Sequence, residues 1–265
     1  MQTDPTLEQT GFGVAPFPSL RLDGRRALVT GAGRGLGRAM ATTLAAAGAH
    51  VTLCGRSSGE IDTVAADLIR AGFSATACAV DVTDIAAFDA LIADTAPHDI
   101  LVNNAGTNRP KPISDVTPED YDAVMNVNLR GLYFASRAVS TRLKNAGKPG
   151  SIINISSQMG HVGAANRTLY CASKWAVEGF TKALAVELGP FGIRVNTIAP
   201  TFVETPMTRT MLEDPDFLQS VLSKIKLGRI ATPSDITGAV LFLASEASAM
   251  MTGASMVIDG GWTAD

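Results

Sequence analysis

The sequence predicts an α/β fold: one doubly wound, mostly parallel sheet with helices on both faces, a three-layer αβα sandwich. Three observations carry this prediction. Short apolar runs alternate with helical segments of roughly 10–20 residues along nearly the whole chain, the signature of βαβ units with right-handed crossovers. The first apolar run ends in a cluster of glycines that leads straight into a helix. No second compositional regime and no repeat of fixed period breaks the pattern, so a single domain is expected.

The elements follow in order. Residues 1–20 are rich in Pro, Gly and Thr without periodicity and read as a mobile N-terminal arm, with the domain over 21–265. Arg26 to Thr30 is an apolar run ending in glycines, as a buried parallel strand should. Gly35 to Gly48 is a helix of small residues stopped by its last glycine, and His50 to Cys54 is the next strand. Ile61 to Ala71 is helical, Ser74 to Val80 extended, Ile85 to Asp94 helical and Asp99 to Val102 extended. A long amphipathic helical region from Pro118 to Ala146 precedes a strand at Gly150 to Ile155. Leu169 to Leu188 is a helix and Ile193 to Ile198 a strand. A helical insertion over Thr201 to Lys226, a helix at Pro233 to Ser245 and a last strand at Ser255 to Ile258 complete the chain.

Composition narrows the function classes. The 265 residues are 46% hydrophobic and 18% charged, enough to bury a large core. A net charge of −3, from 22 basic and 25 acidic residues, argues against nucleic acid or another polyanion as a partner. Cys54, Cys78 and Cys171 form no disulfide framework and suit a reducing compartment. The N-terminal segment lacks a basic stretch followed by an apolar one, and no run reaches the ~18–20 apolar residues needed to span a bilayer. A soluble cytoplasmic protein with no membrane partner is therefore expected.

Thr30-Gly31-Ala32-Gly33-Arg34-Gly35-Leu36-Gly37 sits between the first strand and the first helix. Glycines there let the backbone turn sharply and approach a pyrophosphate, whose charge meets the N–H groups of the helix N-terminus. An acidic residue about twenty positions later would bind the ribose 2′-hydroxyl of NAD and repel a 2′-phosphate. That place is Cys54-Gly55-Arg56-Ser57, without a carboxylate. Arg56 and Arg34 offer guanidinium forks to a phosphate and Ser57 a hydroxyl, which favours NADP over NAD. Asp81 and Val82 follow the third strand, placed to bond an adenine amino group and to pack on its ring. Asn103-Asn104-Ala105-Gly106 follows the fourth strand, again at a carboxyl end lining the ligand crevice.

Tyr170-Cys171-Ala172-Ser173-Lys174 places a phenol and an ammonium at i and i+4 on one helical face. A lysine cation beside a phenol lowers its pKa, which suits a general acid/base for an alcohol–carbonyl pair. Ser157 lies thirteen residues upstream just past a strand, and Asn128 stands within a helical region where asparagine needs a partner.

The T-G-x-x-x-G-x-G spacing, the N-N-A-G turn and this Asn-Ser-Tyr-Lys set resemble the short-chain dehydrogenase/reductase family, from about Arg25 to Asp259-Gly260-Gly261. The resemblance implies a Rossmann-type oxidoreductase interconverting a secondary alcohol and a ketone. Tyr170 is then the proton donor and acceptor, and Ser157 bonds the substrate oxygen. Lys174 bonds the nicotinamide ribose and lowers the pKa of Tyr170, and Asn128 holds a water relaying protons to Lys174. Asn104, Ala105 and Gly106 hold the adenosine side, while Val203 and Thr205 match positions that bond the carboxamide. Pro200-Thr201 departs from the family's Pro-Gly and puts a hydroxyl beside the nicotinamide site or the substrate. No metal is needed, because the cofactor moves the hydride. The resemblance also implies a homotetramer.

Family membership does not name a substrate. Arg109, Gln158 and His161 are the candidate substrate residues, alongside Asn108, Asn166 and Arg167. This polar set leans toward a polyol or sugar acid, as in gluconate dehydrogenase-like members. Met207, Met211, Leu212, Phe217 and Leu218 give the insertion an apolar face suited to a substrate lid. An apolar interior there would favour a 3-oxoacyl thioester, as in 3-oxoacyl-ACP reductases. A non-catalytic dinucleotide-binding regulator is the reading from another class.

Overall fold

The computed structural model describes residues 18–265. Most of the expected arm lies outside the described residues, and Pro18, Ser19 and Leu20 are exposed and belong to no helix or strand. The fold begins at Leu22, which is buried and donates its N–H to the Ala47 carbonyl at 2.8 Å.

Seven strands form one parallel sheet in the order β3-β2-β1-β4-β5-β6-β7. They are β1 (Arg26–Thr30), β2 (His50–Gly55), β3 (Ala75–Ala79), β4 (Ile100–Asn103), β5 (Gly150–Ile155), β6 (Ile193–Pro200) and β7 (Ser255–Ile258). The period-2 alternation of each strand divides the core between the two faces. Ala27, Val29, Val51, Leu53 and Val102 point to one face, with α1 (Gly35–Ala46), α2 (Ser58–Arg70) and α9 (Pro233–Ala244). Leu28, Leu101, Ile152 and Val195 point to the other, with α3 (Ile85–Asp94), α5 (Leu132–Asn145) and α6 (Thr168–Leu188). Because both faces are covered, the strands are continuous apolar runs in sequence. The order reverses between β1 and β4, so the loops after these two strands leave in opposite directions and open a crevice at their carboxyl ends.

The elements agree with the sequence reading in number and type, with two differences. The segment from Pro118 to Ala146 is not one α-helix: α4 (Pro118–Met125) and α5 are joined by a π-helical turn, Asn126–Gly131. The insertion after β6 runs extended through Val203, which bridges Ala231, before α7 (Pro206–Leu212) and α8 (Pro215–Leu222). Pro206 and Pro215 each open a helix at a position where the missing N–H costs nothing, and so divide what reads in sequence as one helical stretch. Among the described residues no helix is long and apolar enough to cross a membrane.

Leu28 has no exposed surface, whereas Ile69 on α2 is 58% exposed. Leu28→Ala should destabilise the fold by about 2–5 kcal/mol, and Ile69→Ala by less than about 0.5 kcal/mol. Urea denaturation monitored by circular dichroism checks the contrast; equal effects would contradict the assignment of core and surface.

Candidate active site

The crevice is built first by close backbone approach. Gly31 and Gly35 adopt φ of +65° and +52°, which glycine tolerates without strain. A Cβ at Gly37 would stand 2.1 Å from the Gly31 carbonyl oxygen, so no larger residue fits. Thr30 Oγ1 accepts the N–H groups of Asn104 and Ala105, each at 3.0 Å. Asn104 Nδ2 returns two bonds, to the carbonyls of Thr30 (2.9 Å) and Gly31 (3.1 Å). The turn after β4 and the loop after β1 are thereby stitched into one wall. Arg34, at the N-cap of α1, makes no side-chain cap bond, and the first turn carries no acidic residue. Free N–H groups at a helix start fit a pyrophosphate.

The far end of the cleft is polar. Arg56 is exposed and makes no salt bridge among the described residues, while Ser57 caps α2 by accepting the Glu60 N–H. Glu60 lies in the cleft with its carboxylate 3.6 Å from Arg34 Nη1, a residue that sequence reasoning missed. Its signal was the Ser57-x-x-Glu60 spacing of a helix start. Asp81 Oδ1 accepts both the N–H and the hydroxyl of Thr83, leaving Oδ2 without a protein donor among the described residues. Val82 lines the cleft and packs on the π turn, where a Cβ at Gly131 would come within 3.1 Å.

The residues expected to carry the chemistry stand where β5 ends against α6. Ser157 Oγ donates to Gln158 Oε1 at 2.7 Å and accepts the Met159 N–H at 3.1 Å. Tyr170 and Lys174 lie on successive turns of α6, with Lys174 Nζ 5.6 Å from the centre of the Tyr170 ring. The ammonium donates to the Ile155 carbonyl at 2.8 Å. Burial pulls Lys174 from the ordinary lysine value of 10.5 down to about 8, against the opposing pull of Glu178. Burial pushes the Tyr170 phenol up, while the neighbouring Ser157 hydroxyl and the Arg167 charge hold it back.

Asn128 occupies the π turn, a feature often found at functional sites. Its Oδ1 accepts the Thr107 N–H at 2.8 Å. Its Nδ2 donates to the Thr107 carbonyl at 2.9 Å and to Ser173 Oγ at 3.1 Å. Its side chain thus ties the exit of the N-N-A-G turn to α6, and no hydrogen bond joins it to Lys174 among the described residues.

These walls enclose a cleft of about 1100 Å³. Every residue expected on the phosphate, adenosine and nicotinamide sides lines it, as do Ser157, Tyr170 and Lys174. Asn128, Gln158 and His161 do not. Gln158 is buried behind Ser157, and His161 turns away toward Ser255 and Glu178. Arg109 reaches the cleft but is tied to Asp120, which Lys111 also holds, and the two cations keep that carboxyl well below the usual range. Thr201 continues the β6 backbone by donating its N–H to the Ile258 carbonyl at 3.1 Å, so the departure from Pro-Gly leaves the strand intact. Its Oγ1 is buried without a hydrogen-bond partner among the described residues. Thr205 opens α7 and pairs its hydroxyl with that of Thr208 at 3.2 Å.

The sequence profile of a family described as enoyl-(acyl carrier protein) reductase matches residues 31–263. L-xylulose reductase of Bos taurus is 42% identical over 245 residues, 92% of this chain and 99% of that protein. Cyclopentanol dehydrogenase of Comamonas testosteroni is 39% identical over 249 residues, again 92% and 99%. The crystal structure of a gluconate 5-dehydrogenase from Burkholderia cenocepacia in complex with NADP and tartrate is 36% identical, with a TM-score of 0.91, covering 95% of this chain and 100% of that one.

A buried lysine held near pKa 8 has a consequence for stability. Between about pH 8 and 10.5 the unfolded chain keeps a proton on Lys174 that the folded chain has released, so this residue makes stability rise with pH across that window. Lys174→Met should be more stable than wild type at pH 7, with the gap closing toward pH 10.5. Urea titrations of both proteins at several pH values check it; a pH-independent difference would contradict the burial of the charge.

Proposed function

The chain belongs to the short-chain dehydrogenase/reductase family of oxidoreductases, and within it we propose that this protein interconverts a secondary alcohol and a ketone with NADP(H), its substrate a polyol or sugar acid. The observation that carries the proposal is the meeting of Ser157, Tyr170 and Lys174 at one end of a cleft whose other end is the glycine loop and Arg56. When bound, the coenzyme supplies or accepts the hydride. The chain's own residues do the rest. Tyr170, its phenol pushed up by burial, stays protonated near neutrality and is ready to give its proton to a carbonyl oxygen becoming an alkoxide. Ser157, held by Gln158 and the Met159 N–H, presents a fixed hydroxyl to that same oxygen. Lys174 would hold the nicotinamide ribose, and Thr201, Val203 and Thr205 border the place for the ring. Asn128 positions Thr107 and Ser173, and so the wall and the helix on either side of the reaction.

Support for NADP comes from the phosphate end. The two residues directly after β2 are Arg56 and Ser57 where a carboxylate would favour NAD, and Arg56 is unpaired among the described residues. The Arg34–Glu60 contact is long and exposed, hence cheap to exchange for a phosphate. The similarity to an L-xylulose reductase and a gluconate 5-dehydrogenase supports a polyhydroxylated substrate. A homotetramer forms part of this reading, supported by the exposed aromatic rings of Tyr121, Tyr133 and Trp175 on α4, α5 and α6.

NADPH-dependent reduction of L-xylulose and NADP-dependent oxidation of gluconate provide the assays. Tyr170→Phe should lower turnover by about 10²-fold or more while calorimetry still shows NADPH binding; full turnover in the variant would remove the tyrosine from the mechanism. Arg56→Asp should weaken NADPH binding roughly tenfold or more, as expected for a lost charge-assisted bond, and leave NADH binding little changed. An unaltered NADPH-to-NADH ratio would show that Arg56 does not meet the 2′-phosphate.

A further inference from the structure

The periodicity of α6 carries the line Tyr170, Lys174 one turn further, to Glu178. Glu178 is 7% exposed, and a carboxylate so buried needs partners. It has them from three other elements. Thr197 of β6 donates its hydroxyl to Oε2 at 2.9 Å, and Ser255 of β7 donates to Oε1 at 3.3 Å. His161, in the loop after β5, places Nε2 3.4 Å from Oε1 and 3.0 Å from Ser255 Oγ. Gly160 lets that loop press close: a Cβ there would stand 3.1 Å from Glu178 Cγ and 2.9 Å from Ser156 Oγ.

We propose that Glu178 is a positioning residue for the reaction: its buried carboxylate, fixed by Thr197, Ser255 and His161, is the counter-charge that keeps Lys174 an oriented ammonium. The inference rests on the catalytic reading of Tyr170 and Lys174 given above. The geometry favours a carboxylate with a task over one that merely fills space, because Glu178 is buried one helical turn from the equally buried Lys174 and is fixed there by hydroxyls from two strands. Among the described residues Lys174 itself has a single hydrogen-bond partner, the neutral Ile155 carbonyl. Burial weakens its hold on the proton, and the Glu178 charge opposes that loss. The other titratable neighbours act elsewhere: Arg167 and Cys171 on Tyr170, and His161 on the far side of Glu178. Among the described residues, β5 gives Lys174 the Ile155 carbonyl, and β6 and β7 give Glu178 the hydroxyls of Thr197 and Ser255. This also gives His161 a role that its distance from the cleft otherwise denies it.

The test follows the Lys174 ammonium directly by 15N NMR, assigned with Lys174→Arg, beside the pH profile of kcat/KM for NADPH-dependent L-xylulose reduction. In Glu178→Gln the Lys174 titration should move down by about one pH unit, as for loss of an opposite charge one helical turn away. The alkaline limb of kcat/KM should move with it, and Glu178→Asp should restore most of both. A Glu178→Gln protein whose Lys174 titration and alkaline limb match wild type overturns the inference. Should that variant not fold, the 13C carboxyl shift of Glu178 in the wild-type protein decides: an ionised carboxylate at pH 7 supports the counter-charge, and a neutral acid overturns it. Lys174→Met separates this inference from the reading beneath it. If it keeps full turnover, the catalytic reading fails and the inference with it. If it is inactive while Glu178→Gln behaves as wild type, the inference alone fails.

Discussion

The space missing at Gly37 governs the rest of the molecule. Its backbone passes so near the Gly31 carbonyl and Asn104 Nδ2 that a methyl group would collide with both, at 2.1 and 2.5 Å. That approach brings the start of α1 against the end of β1 and lets Asn104 reach back from the β4 turn. With Thr30 Oγ1 taking two N–H groups from the same turn, the reversal of strand order becomes a rigid-walled crevice rather than a gap between two loops. Both walls use backbone groups satisfied by specific side chains, so the site is shaped before any ligand arrives.

Against that wall, α6 works as a ruler. Its 21 residues set Tyr170, Lys174 and Glu178 one turn apart and carry Ser173 and Thr181 to the partners that hold the helix in place. Thr181 receives the Asn154 amide, and Asn154 in turn receives that of Asn103, so a buried polar chain runs from α6 through β5 to β4. Buried amides of this kind are costly unless satisfied, and satisfied they allow one register only. The end of β5 is thereby locked to the helix that faces it, and Ser157 to Tyr170.

The active end of the cleft is held in a state that folding alone would not choose. Burial disfavours both the ammonium of Lys174 and the phenolate of Tyr170. The compensating groups are few and local: the Ile155 carbonyl, the Glu178 carboxylate, the Ser157 hydroxyl and the Arg167 charge. Stability surrendered at such a site is a common feature of enzymes, where the charged group has a task that the core does not share.

Much of this was legible in the sequence. Apolar periodicity, glycine clusters and strand-end motifs are local signals, and they determined the fold class, the seven strands in their order along the chain and the glycine loop, strand-end and helix residues around which the cleft forms. Tertiary structure decided whatever depends on which surface a side chain meets. Asn128 was recognisable as a helical asparagine in need of a partner, but only the packed fold shows its amide spent on Thr107 and Ser173. His161 and Gln158 follow the serine in sequence like substrate residues, yet β7 and Ser157 claim them. Arg109 stood free until Asp120 came beside it. Glu178 was one more polar residue on a helix until β6 and β7 closed over it. A sequence records spacing along one element, and that suffices for a strand, a cap or an i, i+4 pair. The balance of burial and charge at a residue is set by elements distant in the chain, so it exists only once the sheet and its two helical layers have come together.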